Sequence, residues 1–150
     1  NEKEKKRMNR NEMKIEFGSD PRNESFARVV VASFMTRTNP TLEEVADVKT
    51  AVSEAVTNSI IHGYGQKEGT IEIRAYIEER KLYIEIIDYG CGIEDVEKAM
   101  EPMFTTGKDG RSGMGFSFME AFMDELTVES EPGKGTTVKM AKKIGAGCAV

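Results

Sequence analysis

At 150 residues, with 39% hydrophobic and 31% charged content, the chain is long enough for one domain with a real core and has an ordinary globular composition. Net charge is −5, and the first ten residues hold five basic and two acidic groups, so the rest of the chain is more acidic still; such a body repels phosphate backbones and argues against DNA or RNA as a partner. Two cysteines, Cys91 and Cys148, make neither a disulfide framework nor a zinc site, no apolar run approaches membrane-spanning length, and the opening does not read as a signal peptide, so a cytoplasmic chain without a membrane partner is expected.

The opening charged run shows no apolar pattern. Residues 1–11 are expected as a disordered extension, with Met8 or Met13 as candidate natural starts. Met13, Ile15 and Phe17 alternate with polar neighbours and predict a short strand over 12–17. After a break at 18–21, a helix is predicted over 24–36. It is apolar nearly all round, with Phe26 and Val30 on one side and Val31, Ala32 and Met35 on another, so burial on more than one face is expected. Thr41 and Glu44 make a capping box for a longer helix over 42–61. There Val45, Val48, Val52, Val56 and Ile60 fall on one sector, at about 100° per residue. Glu54, Asn58 and His62 stand on the other sector at four-residue steps, which lines up a carboxylate, an amide and an imidazole. A solvated face is the plain reading, yet a stripe without Lys or Arg solubilises poorly. It suits the wall of a site that needs a base and an oxygen ligand.

Residues 63–69 end this helix. Ile71, Ile73, Ala75 and Ile77, then Leu82, Ile84 and Ile86, predict an antiparallel hairpin about a turn at 78–81. The second strand runs into Asp88-Tyr89-Gly90-Cys91-Gly92-Ile93. A short acidic helix over 94–100 stops at Pro102, and residues 101–112, with Gly107 and Gly110, predict a mobile loop. Gly113-Met114-Gly115 opens a helix through Met123. Leu126 with Val128, and Val138 with Met140, predict two last strands around 132–135, and residues 143–150 read as a flexible tail.

The two glycine boxes, D-x-G-x-G at 88–92 and G-x-G at 113–115, are weak singly, because a turn alone can demand them. Their chemistry is nonetheless specific. A carboxylate at a strand end can accept from an exocyclic amine such as adenine's, glycines let a flat base approach, and a helix start favours phosphate. Neither box is a Walker P-loop. Taken in order, Glu54 with Asn58, then D-x-G-x-G, then a loop and G-x-G, the chain resembles the ATP-binding family shared by gyrase-type topoisomerases, heat-shock chaperones, histidine kinases and MutL repair proteins. Gly135-Thr136-Thr137-Val138 is similar to that family's closing threonine segment. The wording S-E-A-V-T-N-S-I-I-H-G-Y, with P-M-F-T-T and R-S-G-M-G-F, is similar to the bacterial anti-sigma serine kinases, the sporulation branch most of all. No histidine-phosphoacceptor helix precedes the domain, unlike ordinary histidine kinases.

The resemblance covers about residues 12–142 and implies an α/β sandwich of the Bergerat type: a mixed, mostly antiparallel sheet with helices on one face. It implies that Asn58 gives its amide oxygen to Mg²⁺, that Glu54 orients and deprotonates a serine hydroxyl, and that Asp88, supported by Thr136, reads adenine N6. Arg111 would reach the γ-phosphate, and Gly113 and Gly115 would present amides to the phosphates. Gly90, Gly92, Ile93, Thr105, Thr106 and Ser112 complete the implied ATP set. His62 stays open between a site group and a helix cap, and Cys91 reads as a small filler. The implied function is to bind and inhibit an RNA polymerase sigma factor, and to phosphorylate a serine of its anti-anti-sigma antagonist with Mg·ATP. Two alternatives remain: a module that holds ATP without turning it over, against which Glu54 argues, and an enzyme using S-adenosylmethionine, against which Asn58 argues. The loop at 101–112 is expected to order around ATP. A homodimer is expected on strand 12–17 and helix 24–36, with Arg28, flanked by Phe26 and Val29, contacting both sigma factor and antagonist.

Overall fold

The computed structural model describes residues 1–101 and 115–145. Alternation of apolar and polar residues builds its sheet. Strands β1 (Asn11–Gly18), β2 (Thr70–Glu78), β3 (Lys81–Asp88), β4 (Glu125–Glu131) and β5 (Gly135–Lys143) lie in the order β1-β2-β3-β5-β4. The resemblance allowed for a mixed sheet; among the described residues all four pairings are antiparallel. The β2–β3 turn holds Glu79 and Arg80 at φ 51° and 64°, the left-handed pair that matches strand twist in a two-residue hairpin.

Residues paired across strands share a face, so the register reads out the covered side as rows. Ile15, Ile73, Ile86, Val138 and Val128 form one row across all five strands, and Met13, Ala75, Ile84, Met140 and Leu126 form the next. The opposite side carries Lys14, Arg74, Glu85, Lys139 and Thr127 in one of its rows, as a solvated face should.

Helices α2 (Asn23–Met35), α3 (Leu42–Asn58) and α5 (Phe116–Phe122) supply the buried residues that cover the apolar face. The capping box at Thr41 and Glu44 forms as predicted and starts α3. From α3, Val48, Val52 and Val56 are fully buried. In α2 only Ala27, Val31 and Met35 are buried, while Phe26 (51% exposed) and Val29 (57%) face out, so burial on more than one face is not what this helix shows. Among the described residues no layer covers its second apolar side. A shorter helix, α4 (Val96–Met100), is capped by Asp95. The opening run, expected as a disordered extension, forms α1 (Glu2–Asn9), started by a reciprocal capping box between Asn1 and Glu4.

One departure bears on the site. The helix expected over 42–61 keeps α geometry only to Asn58 and continues as a π-helical turn over Ser59–Tyr64. Wider i→i+5 bonding absorbs one extra residue, a device often found at functional sites. No hydrophobic period announces it, because Ile60 still falls on the core.

Candidate functional site

The third row of the covered face runs Phe17, Ile71, Asp88, Thr136, Ser130. It begins apolar and turns polar at the last residue of β3. Asp88 is only 4% exposed. Its carboxylate accepts from the Gly90 backbone N–H (3.0 Å), the Ser59 hydroxyl and the Thr136 backbone N–H. Burial pushes this carboxyl above the usual aspartate range, and the three hydrogen bonds pull against it. Beside it the Ser130 and Thr136 hydroxyls lie 2.8 Å apart, and Ser130 Oγ also accepts from the Ile93 N–H at 2.8 Å. The D-x-G-x-G loop is thereby fixed to the β4–β5 hairpin.

The π-helical turn closes the other side. Cys91 N–H donates to the Gly63 carbonyl (2.8 Å), Cys91 Sγ to the His62 carbonyl (3.0 Å) and Tyr89 N–H to Tyr64 Oη (2.8 Å). The approach is close enough that a Cβ on Gly90 would sit 2.2 Å from the Gly63 carbonyl oxygen, so position 90 admits no side chain. Between turn and hairpin opens a pocket whose polar lining is Asn58, Ser59, His62, Asp88 and Thr136, with Ala55, Ile93, Phe116 and Val138 as apolar wall. The chemistry of the lining, one carboxylate, two glycines and four apolar side chains, suits a flat heteroaromatic ring with an amine on its edge.

Glu54 stands one helical turn before Asn58, at the start of α5. Gly115, the N-cap of α5, has φ 63°, and a Cβ there would meet Glu54 Oε2 at 2.3 Å. The candidate base and Gly115 are thus in contact. Loss of water around Glu54, and secondarily the charge of Glu24 on α2, raise its pKa. Burial also lowers that of His62, favouring the neutral ring.

Among the described residues, no three His, Cys, Asp or Glu side chains converge on a point that could cage a metal. A lone amide oxygen from Asn58 fits Mg²⁺ carried in with a triphosphate, where phosphate oxygens and water supply the other ligands. The sequence-derived residues Glu54, Asn58, Asp88, Gly90, Gly92, Ile93, Gly115 and Thr136 gather in this one region. Thr105, Thr106, Arg111, Ser112 and Gly113, and the loop expected to order around ATP, lie outside the described residues. Arg28 is not among the residues that line the pocket. It pairs with Glu24 at 3.7 Å between the exposed Phe26 and Val29, and Phe26 packs edge-on against Phe17 of β1 at 6.2 Å. Sequence reasoning passed over Ser59, Tyr64 and Ser130. Ser130 was readable only once the β4–β5 register placed it opposite Thr136.

The sequence profile of the histidine kinase-like ATPase domain family matches residues 17–142. The anti-sigma F factor of Thermoanaerobacter sp. (strain X514) is 61% identical over 137 residues, covering 91% of this chain and 96% of that protein. The anti-sigma F factor of Clostridium acetobutylicum is 59% identical over 138 residues, with the same coverage of 91% and 96%. Among solved structures, the catalytic domain of histidine kinase ThkA superposes with a TM-score of 0.55 at 17% identity, covering 88% of this chain and 96% of that one. The histidine kinase domain of the Erythrobacter litoralis EL346 blue-light activated kinase gives 0.54 at 19% identity, over 81% of this chain and 61% of that one. Those two share the fold.

Proposed function

The chain belongs to the histidine kinase-like ATPase domain family, and from that premise we propose that it is an anti-sigma serine kinase, which holds a sigma factor inactive and phosphorylates the antagonist that would release it. The observation that carries this reading is the single pocket in which Asp88, Thr136 and Asn58 converge, with Glu54 a turn away against Gly115. A module that only held nucleotide would need no partly desolvated carboxylate there.

In this reading the adenine ring lies against Ile93, Phe116 and Val138, and its 6-amino group donates to Asp88. The ring leaves the triphosphate directed toward Asn58 and the start of α5. The Asn58 amide oxygen would hold Mg²⁺, whose charge, when bound, offsets that of the phosphate oxygens. Glu54 takes the proton of the attacking serine hydroxyl, so that the serine oxygen bonds to the γ-phosphorus as the bridging bond to ADP breaks. The products are ADP and phosphoserine, and the proton resides on Glu54 until solvent removes it. A raised pKa makes Glu54 a stronger base, provided the pH leaves it ionised.

The partner surface rests on α2 and β1. β1 is a sheet edge with unpaired backbone groups, and α2 turns Phe26 and Val29 outward beside Arg28. Such edges and patches associate. We assign to them a homodimer contact and, through Arg28, a site shared in turn by sigma factor and antagonist. The setting is the cytoplasm, with no direct nucleic-acid contact. The test is transfer of γ-labelled phosphate from ATP to a purified antagonist, in the presence and absence of sigma factor. Label on an antagonist serine is expected. Nucleotide binding without transfer to any protein would reduce the chain to a holding module.

A further inference from the structure

Tyr64 closes the π-helical turn, and its hydroxyl is used twice. It donates to the Thr70 carbonyl at 2.5 Å and accepts from the Tyr89 backbone N–H at 2.8 Å. Thr70 opens β2 and Tyr89 follows directly on Asp88, so one oxygen ties the end of the α3 segment to the start of one strand and the end of another. The ring itself is seated by the absence of a side chain opposite. A Cβ on Gly69 would come within 2.1 Å of the Tyr64 ring. Gly69 is in turn fastened by its own N–H to Ser19 Oγ at 3.0 Å. Burial pushes the phenol pKa up, so the hydroxyl remains a donor across the neutral range.

The other fastenings of the 88–91 loop to this turn engage different groups. Cys91 N–H is held by Gly63, and the Asp88 carboxylate by Ser59, Gly90 and Thr136. The Tyr89 amide, immediately C-terminal to Asp88, is held by the Tyr64 side chain. Its peptide plane fixes ψ of Asp88, and so the direction from which that carboxylate meets a base edge. We propose that Tyr64 is a positioning residue for adenine selection, acting through the Tyr89 amide to hold Asp88 in the orientation that accepts the 6-amino group. The inference rests on the assignment of Asp88 to the adenine edge.

The test compares ATP with inosine triphosphate, which has a carbonyl where ATP has the 6-amino group, by calorimetry on the full chain. Wild type prefers ATP. Tyr64→Phe keeps the ring on Gly69 and removes only the hydroxyl. It is expected to lower ATP affinity about tenfold, the scale of one lost hydrogen bond with its partner stranded, while inosine triphosphate changes little. A narrowed ratio is something a purely structural tyrosine would not produce. If both nucleotides weaken equally, or neither does, Tyr64 serves the fold alone and the proposal is overturned. A second measurement does not depend on how the variant folds: in the wild-type protein without nucleotide, the Tyr89 amide should be protected from hydrogen exchange. Exchange at the rate of an unstructured amide overturns the proposal. Asp88→Ala separates the two levels. If it erases the ATP preference while Tyr64→Phe keeps it, only the positioning role fails; if Asp88→Ala leaves the preference intact, the reading of the pocket itself fails.

Discussion

Two rows of one covered sheet face, Met13-Ala75-Ile84-Met140-Leu126 and Phe17-Ile71-Asp88-Thr136-Ser130, are built by the same five strands with the same alternation. The first is apolar from edge to edge and packs under helices. The second substitutes a carboxylate and two hydroxyls on three adjacent strands, and there the helical layer changes to a π turn and a pocket opens. The difference teaches where this fold spends stability on chemistry. A buried carboxylate is costly unless donors surround it, and Asp88 has three. The apolar row needs only volume.

Exchanging the two kinds of row position should separate the two roles. Asp88→Ala is expected to leave the chain folded and reduce ATP affinity by about a hundredfold or more, as fits loss of a charged acceptor. Ile84, 1% exposed, is the control: Ile84→Ala should cost ~2–5 kcal/mol in denaturant melts and leave ATP affinity near wild type while the protein is folded. Were Ile84→Ala to match Asp88→Ala in nucleotide affinity, the rows would not be functionally distinct.

Next in size is the base. Glu54→Ala should keep nucleotide binding and slow phosphate transfer by ~10²–10⁴-fold, read as label incorporated per minute into the antagonist. Transfer at the normal rate would put the base elsewhere. Arg28→Glu, on the outer side of α2, should weaken binding of sigma factor and antagonist alike in pull-down titrations, with ATP affinity retained. Wild-type sigma affinity in that variant would make Arg28 an ordinary surface charge and remove the shared site.

The smallest effect concerns pH. Glu54 is raised first by desolvation and then by the charge of Glu24. A base acts when ionised, so the transfer rate falls as pH drops through this raised pKa. Glu24→Gln removes the second cause, lowers the pKa and should move the acid limb of the rate profile to lower pH. A limb that stays in place, or moves upward, would mean that Glu24 does not act on Glu54.

Much of this was readable in advance, for definite reasons. A period of two exposes strands, and Ile71-Ile73-Ala75 and Leu82-Ile84-Ile86 are buried as that period requires. Asp88 and Gly90 were marked by their place after a strand. The π turn was not readable, since an inserted residue between Asn58 and Tyr64 changes no residue type. Nor was Ser59, a small polar residue on a helix, or Ser130, which alternation alone assigns to no partner. The outward side of α2 was half readable: the flank of Arg28 by Phe26 and Val29 was marked, while Phe26 and Val30 were read as one buried side, and packing shows Ala27, Val31 and Met35 as the buried residues instead.

The strand order has a kinetic side as well. β2 with β3 and β4 with β5 join segments close along the chain, whereas β1 reaches β2 only after α2 and α3, and β3 reaches β5 only after α4, α5 and β4 have been traversed. Closing these two long excursions makes the slow, entropically expensive pairings of the sheet. Asp88 and Thr136 face each other across the second, so the pocket straddles one of the two long-range seams. A ligand that binds only the closed seam shifts the folding equilibrium by mass action, by about 2.7 kcal/mol at a hundredfold excess over Kd. Nucleotide supply would therefore add to the stability of the folded chain, and with it to its resistance to proteolysis.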